Sequence, residues 1–255
     1  RLAFTVFACH AAPTLMKTLS LLCTLLLAIF VGCASPHAQT HADKKIKVLI
    51  VTGGHGFKAE PFFKMFADNP EITYTAAAQH TNAEAYDRPD LFSYEVVLRY
   101  DSPTHISEAQ KARFLQLFDR GIGVIVLHHA YLSYPMWDDY ERIAGGKYVY
   151  QNEQMINSIT SSTYQGDVDI PVTVAAKNHP ITAGLPDFVL HDELYSNMHM
   201  LNNAKPLLKN GDQWLAWYRT EKKSRVVGTI IGHGCYDDPN FRKLIAQSIR
   251  WVAKK

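Results

Sequence analysis

GIGVIVLHHAYLSY, residues 121–134, decides how this chain folds. Its aliphatic run shows no polar alternation, the pattern of a strand buried on both faces, as in a parallel sheet. The spacing predicts a strand over 123–128. The run ends in two adjacent histidines, His128 and His129. Imidazole titrates near neutral pH and is costly to bury unpaired, so this strand end is expected to offer ligands, proton carriers or hydrogen-bond donors. Neighbouring side chains of an extended chain point to opposite faces, so one ring is expected to face a site and the other to pack beneath it.

Similar units lie upstream. IKVLIVT (46–52) is a short apolar run closed by Gly53-Gly54, and a helix is expected over 59–67 with Pro61 in its first turn. Further strands are predicted over 73–78 and 94–100. Ser107 is the expected N-cap of a helix with apolar positions Ala109, Ala112, Leu115 and Phe118, stopped by Gly121. Strands alternating with helices predict an α/β fold, a mostly parallel, doubly wound sheet covered on both faces. Downstream, the pattern gives a helix over 135–144, a long loop over 145–167, and strands over 170–175, 214–220 and 225–231. Pro239 then opens a helix with the apolar stripe Phe241, Leu244, Ile245, Ile249 and Val252. No internal repeat is evident.

The 255 residues carry a formal charge of +2 with 47% hydrophobic content, which gives no reason to expect nucleic acid as a partner. Residues 1–15 read as upstream translation. Met16-Lys17 begins a basic n-region followed by an apolar run, Leu19 to Val31, too short to span a bilayer comfortably, and residues 16–33 read as a signal peptide. Phe30-Val31-Gly32-Cys33 resembles a lipobox, so an exported protein is expected, periplasmic or anchored to the outer membrane through a lipid on Cys33. Simple cleavage near Ala34 or Ala38 is the alternative. Residues 34–43 read as a polar tether and 44–255 as one domain. Only Cys235 of the four cysteines lies in that domain, so no disulfide is expected within it.

Polar clusters follow the predicted strands: His55 in GGHGF, His128-His129, and His233 between Gly232 and Gly234. A fourth, HDELY, holds His191, Asp192, Glu193 and Tyr195. Strand C-termini share one edge of such a sheet, so these groups are expected to converge on one site. GGHGF matches neither a Walker loop nor a dinucleotide fingerprint, and no nucleotide is expected. The chain has no HExxH helix and no cysteine pair, which leaves an open site of imidazoles plus a carboxylate as the metal reading, with Zn, Mn or Ni as the ion. Cys235 is close in sequence to His233, but residues i and i+2 of a turn seldom make the contact a Cys–His nucleophile needs. His80, His105, His179 and His199 read as structural. Tyr131, Tyr134, Trp137, Tyr140, Tyr148 and Tyr150 crowd the segment after His128-His129. Some must be core, and the rest would suit a sugar ring, with Tyr131, Trp137 and Tyr195 as the substrate-binding candidates.

VLIVTGGHGF, GVIVLHHAYLSYPMWDDYERIAGGKY, HPITAGLPDFVLHDELY and RVVGTIIGHGCYDDPNFRKLIAQSIRWV, in that order, resemble the ThuA-like family over residues 47–252. The resemblance implies a three-layer, flavodoxin-like α/β/α sandwich of the class I glutamine amidotransferase-like superfamily. The central strand here delivers His128-His129 where those amidotransferases carry a cysteine, which argues against glutamine amidotransfer. The family is associated with sugar metabolism, including breakdown of disaccharides through 3-keto intermediates. A 3-keto group acidifies the neighbouring C–H, so a base can remove that proton and the glycosidic oxygen can leave by β-elimination. In that scheme His55, His128 or His129, and His233 hold a metal or an oxyanion. Glu193 or Asp192 is the base, and His191 orients a neighbour or donates a proton. Two alternatives stay open, a non-catalytic carbohydrate-binding lipoprotein and a hydrolase. The adjacent Asp192 and Glu193 argue against the usual paired-carboxylate glycosidase. Oligomeric state is not legible in the sequence.

Overall fold

The computed structural model describes residues 44–151 and 160–255. The signal peptide, Cys33 and the polar tether lie outside the described residues. Among the described residues no helix is long and apolar enough to cross a membrane.

Eleven strands are described. β1 (Ile46–Gly53), β2 (Ile72–Ala78), β3 (Val96–Asp101) and β4 (Gly123–Leu127) come first, and β5 (Gly146–Lys147) pairs with β8 (His199–Met200) as a separate two-stranded sheet. β6 (Thr163–Val174), β7 (Phe188–Ser196), β9 (Lys205–Asn210), β10 (Gln213–Glu221) and β11 (Ser224–Thr229) complete a nine-stranded sheet of order β2-β1-β3-β4-β11-β10-β9-β6-β7. The five strands β2 to β11 of that order are parallel. The four beyond them are antiparallel, so the expected mostly parallel sheet describes only one half. Val48 to Val51, Val96 to Leu98 and Val124 to Leu127 are fully buried, as strands covered on both faces must be.

Helices α1 (Ala59–Ala67) and α4 (Pro239–Val252) share one face, joined by the Arg242–Asp68 ion pair. Helices α2 (Glu108–Arg120) and α3 (Asp138–Ala144) share the other, where Phe114 packs against Trp137 and Tyr140. Local chemistry sets the ends. Asp238 caps α4 by accepting from the Asn240 and Phe241 amides, ahead of Pro239. Ser107 and Gln110 form a capping box on α2, and Gly121 closes that helix at φ 77°.

Several sequence expectations need correction. The buried face of α2 is Gln110, Phe114, Leu117 and Phe118, while Ala109 and Ala112 are exposed: large side chains, not alanines, set which face turns inward. α3 begins at Asp138 rather than residue 135. The strand expected over 170–175 begins at Thr163, inside the predicted loop, and HDELY sits within a nine-residue strand.

Gly228 on β11 has no room for a side chain. An added Cβ would meet the Tyr131 hydroxyl and lie 2.7 Å from Trp217 Nε1. Gly228→Ala is therefore expected to destabilise the fold by about 2–3 kcal/mol or more, read as a fall in the urea midpoint at unchanged slope.

Candidate functional site

The parallel strands end on one edge, and there the chain brings four imidazoles together. β4 does not run on through His128. That residue turns the chain at φ 46°, a conformation uncommon for a non-glycine residue, and a 3-10 turn spans His128–Leu132. The turn is held from below. The fully buried Arg99 donates to both oxygens of Asp101 and to Ser133 Oγ, which itself donates to the Asp101 carbonyl. Tyr140 Oη donates to the Ala130 carbonyl at 2.7 Å.

The consequence corrects the expectation that only one of the two rings faces the site. His128 and His129 both enter the cluster. His129 stacks on His55 at 4.4 Å, and the His128 ring lies 5.1 Å from that of His233. His129 is fully buried between His55 and Tyr100, and neither ring nitrogen has a hydrogen-bond partner among the described residues. Burial, then the neighbouring His128, His55 and His233, push its pKa down to about 2, so the ring is neutral.

His128 donates from Nδ1 to the Ile230 carbonyl at 2.6 Å, since a carbonyl can only accept, and its Nε2 lies 3.1 Å from Glu193 Oε1. Its close contact with His128 holds the Glu193 carboxyl below its usual range, against an opposing push from partial burial. Burial, then His128, lowers the pKa of His233, which favours its neutral, ligand-ready form. One ligand atom from each of His128, Glu193 and His233 lies within 4.8 Å of the others. His55 turns Nδ1 toward the Gly56 carbonyl at 2.7 Å and, like His129, stands beside this group rather than in it.

Adjacent carboxylates diverge in role. Asp192, 5% exposed, is committed to the loop carrying His233. Its Oδ2 accepts from the Gly232 and His233 amides at 2.6 and 3.2 Å, and its Oδ1 from the Gly234 amide at 2.8 Å. Gly232 adopts φ 115°, with Phe241 and Leu127 filling the space a side chain would need. Tyr236 Oη donates to the His233 carbonyl at 2.5 Å and fixes the loop from the other side. Asp192 is thus a clamp, and the sequence expectation of a base at this residue gives way to that geometry. Cys235 points its thiol at Asp192, and burial raises its pKa well above the ordinary value, so it is no nucleophile.

A cleft of about 540 Å³ opens beside the cluster, lined by residues that include Lys58, Asp167, His191, Glu193 and His233. Across the β6–β7 ladder His191 pairs with Asp169, and their side chains meet at 2.9 Å through Nδ1. Sequence reasoning did not find Asp169. The only available signal was its register opposite HDELY, which requires the strand that the sequence hid.

Tyr195 stacks on His128 at 4.3 Å and belongs to the site wall. Tyr131 and Trp137, expected to bind substrate, pack elsewhere: Tyr131 is buried against Trp217, and Trp137 stacks with Tyr140 beneath Lys111. His105, His179 and His199 bond to Thr104, the Ile181 amide and Glu141, consistent with structural roles.

An α/β protein with histidines and a carboxylate gathered at its strand ends is the class these observations define. Residues 47–252 match the ThuA family, described as trehalose utilisation, and the chain belongs to that family. It is similar to a putative ThuA-like protein from Parabacteroides merdae, with 18% identity over 82% of this chain and 90% of that one, at TM-score 0.69. A putative ThuA-like protein from Bacteroides uniformis shares 20% identity over 85% and 94% of the two chains, at TM-score 0.63. A β-galactosidase from Bacillus circulans aligns with 82% of this chain through 31% of its own, at 9% identity and TM-score 0.53. These likenesses show the fold. No curated protein matches the chain. The family points to a carbohydrate-related function.

Proposed function

We propose that the chain is an exported carbohydrate-processing enzyme that acts on keto-glycosides at a cation site formed by His128, Glu193 and His233. The observation that carries this reading is the pair of contacts His128 makes, Nδ1 to the Ile230 carbonyl and Nε2 to Glu193 Oε1. With Nδ1–H committed to the Ile230 carbonyl, the neutral ring turns the Nε2 lone pair toward the Glu193 carboxylate. Two acceptors face each other there, and a cation or a second ring proton must reconcile them. A histidine that donates its second N–H to a backbone carbonyl is also the usual outer-shell arrangement of a metal ligand. Two imidazoles and one carboxylate suit a first-row divalent ion such as Zn, Mn or Ni. Such an ion, when bound, supplies positive charge that polarises a substrate carbonyl and stabilises an enolate oxygen.

The remaining chemistry falls to His191. Asp169 holds Nδ1, His191 lines the cleft, and His191 and Glu193, two apart on one strand, share a face. His191 would take the proton from the carbon beside the substrate carbonyl. As the C–O bond to the leaving sugar breaks, that proton passes to the departing oxygen. Export rests on residues 16–33 alone, with Cys33 as the lipid anchor.

The test is turnover of 3-keto-glycosides, 3-keto-trehalose among them, followed by mass spectrometry. Wild type is expected to release the free sugar, and His191→Asn to slow release by about 100-fold or more at unchanged metal content. Turnover indifferent to both chelation and His191→Asn would sink the reading.

A further inference from the structure

The outer ribbon of the sheet carries aromatic side chains that no step above uses. Tyr164 on β6 is the ladder partner of Tyr195 on β7, so the two side chains stand on one face of the ribbon. Glu193, two residues before Tyr195, stands on that face too. Tyr195 is 4% exposed: one side of its ring lies on His128, and Tyr148 meets it edge-on at 5.3 Å. Tyr148 in turn contacts Tyr150 at 5.5 Å. Tyr164 is 68% exposed, an unusual setting for a large ring beside a candidate site.

This arrangement is anchored. The buried Ser162 exchanges bonds with the Val149 backbone, its hydroxyl accepting from the Val149 amide and its own amide donating to the Val149 carbonyl. The same hydroxyl donates to the Asn197 carbonyl at 2.9 Å. One residue thereby ties the Tyr148–Tyr150 segment to the start of β6 and the end of β7. Partial burial, then Tyr164 and the Glu193 carboxylate, raise the Tyr148 phenol above its ordinary pKa. Between Tyr164 and Asp169 a bulge at Gly166-Asp167, with Asp167 at φ 53°, lines the cleft next to Glu193.

From this geometry we infer that Tyr148 and Tyr164 form a sugar-ring platform of the site, holding a pyranose by its apolar C–H face beside Glu193. The inference rests on the carbohydrate reading and adds to it the residues that grip the ring. A wholly apolar ligand fits poorly, because the Glu193 carboxylate shares the face of Tyr164 and Tyr195, and Asp167 lies in the bulge just after Tyr164. A pyranose presents an apolar face and a hydroxyl rim, matching tyrosine faces bordered by carboxylates and imidazole.

The experiment is saturation-transfer NMR titration of unoxidised trehalose, maltose, cellobiose and lactose against the full chain, with metal content and melting temperature measured in parallel. Wild type is expected to bind at least one of the four. Tyr148→Ala/Tyr164→Ala is expected to weaken that binding by about 10-fold or more, at unchanged metal content and melting temperature. Tyr148→Phe/Tyr164→Phe, which keeps both ring faces, should bind nearly as wild type does. Binding retained in the alanine pair overturns the platform and leaves the carbohydrate reading standing. No binding of any of the four sugars by wild type overturns the platform, and turnover of 3-keto-glycosides then decides the carbohydrate reading separately. Tyrosine-dependent binding in a protein that takes up no metal sustains the platform and removes the cation.

Discussion

Asp192→Ala is expected to cost about 3–5 kcal/mol of stability, the largest loss from any single change at the site. The carboxylate is buried and accepts from three consecutive amides, Gly232, His233 and Gly234. Removing it leaves the buried Gly232 N–H and the partly buried His233 and Gly234 N–H groups without this acceptor, in a loop whose glycine already adopts a backbone closed to other residues. For a domain of this size the melting temperature should fall by roughly 10 °C or more. Because the same loop carries His233, the variant should lose its cation as well as its stability. A melting temperature within about 2 °C of wild type would show that the clamp carries little.

Glu193→Gln should have the opposite profile. Glutamine has nearly the shape of glutamate, and its amide can donate to the Nε2 lone pair of His128 that the carboxylate only faces. The metal-free variant is therefore expected to melt at or above the temperature of metal-free wild type. Cation affinity should fall by more than about 100-fold, since changing even an outer-shell partner costs 10–100-fold. Turnover of a keto-glycoside should fall with it. A calorimetric titration with zinc, paired with thermal melts of the stripped proteins, separates the two effects. Unchanged affinity would remove Glu193 from the ligand set.

The parallel half of the fold is legible because its strands are nearly pure aliphatic runs bounded by glycine, and because Ser107, Gly121 and Pro239 mark helix ends by their own chemistry. The antiparallel half is not. β6 opens with TYQGDVD, polar, glycine-containing and interrupted by a bulge, because much of it faces solvent. With β6 hidden, the register that pairs His191 with Asp169 and Tyr195 with Tyr164 was hidden too. At the site, the convergence of His55, His128, His129 and His233 followed from strand ends sharing an edge. The roles did not follow. Extended geometry predicted diverging rings at His128-His129, and the positive φ of His128 cancels that rule. Nothing in the pair Asp192-Glu193 says which carboxylate clamps a loop and which faces an imidazole; only the position of the Gly232–Gly234 loop decides. Tyr131 and Tyr164 are the same residue type, and only burial sets them apart: Tyr131 is 2% exposed and Tyr164 68%.

The most direct measurement of the central claim is the metal content of the chain purified without a histidine tag, by inductively coupled plasma mass spectrometry, before and after Zn, Mn and Ni are offered. About one divalent ion per chain is expected in wild type and none in His128→Ala/His233→Ala. Wild type that takes up none of the three ions, or a double variant that holds as much metal as wild type, would contradict the assignment of His128, Glu193 and His233 as a cation site.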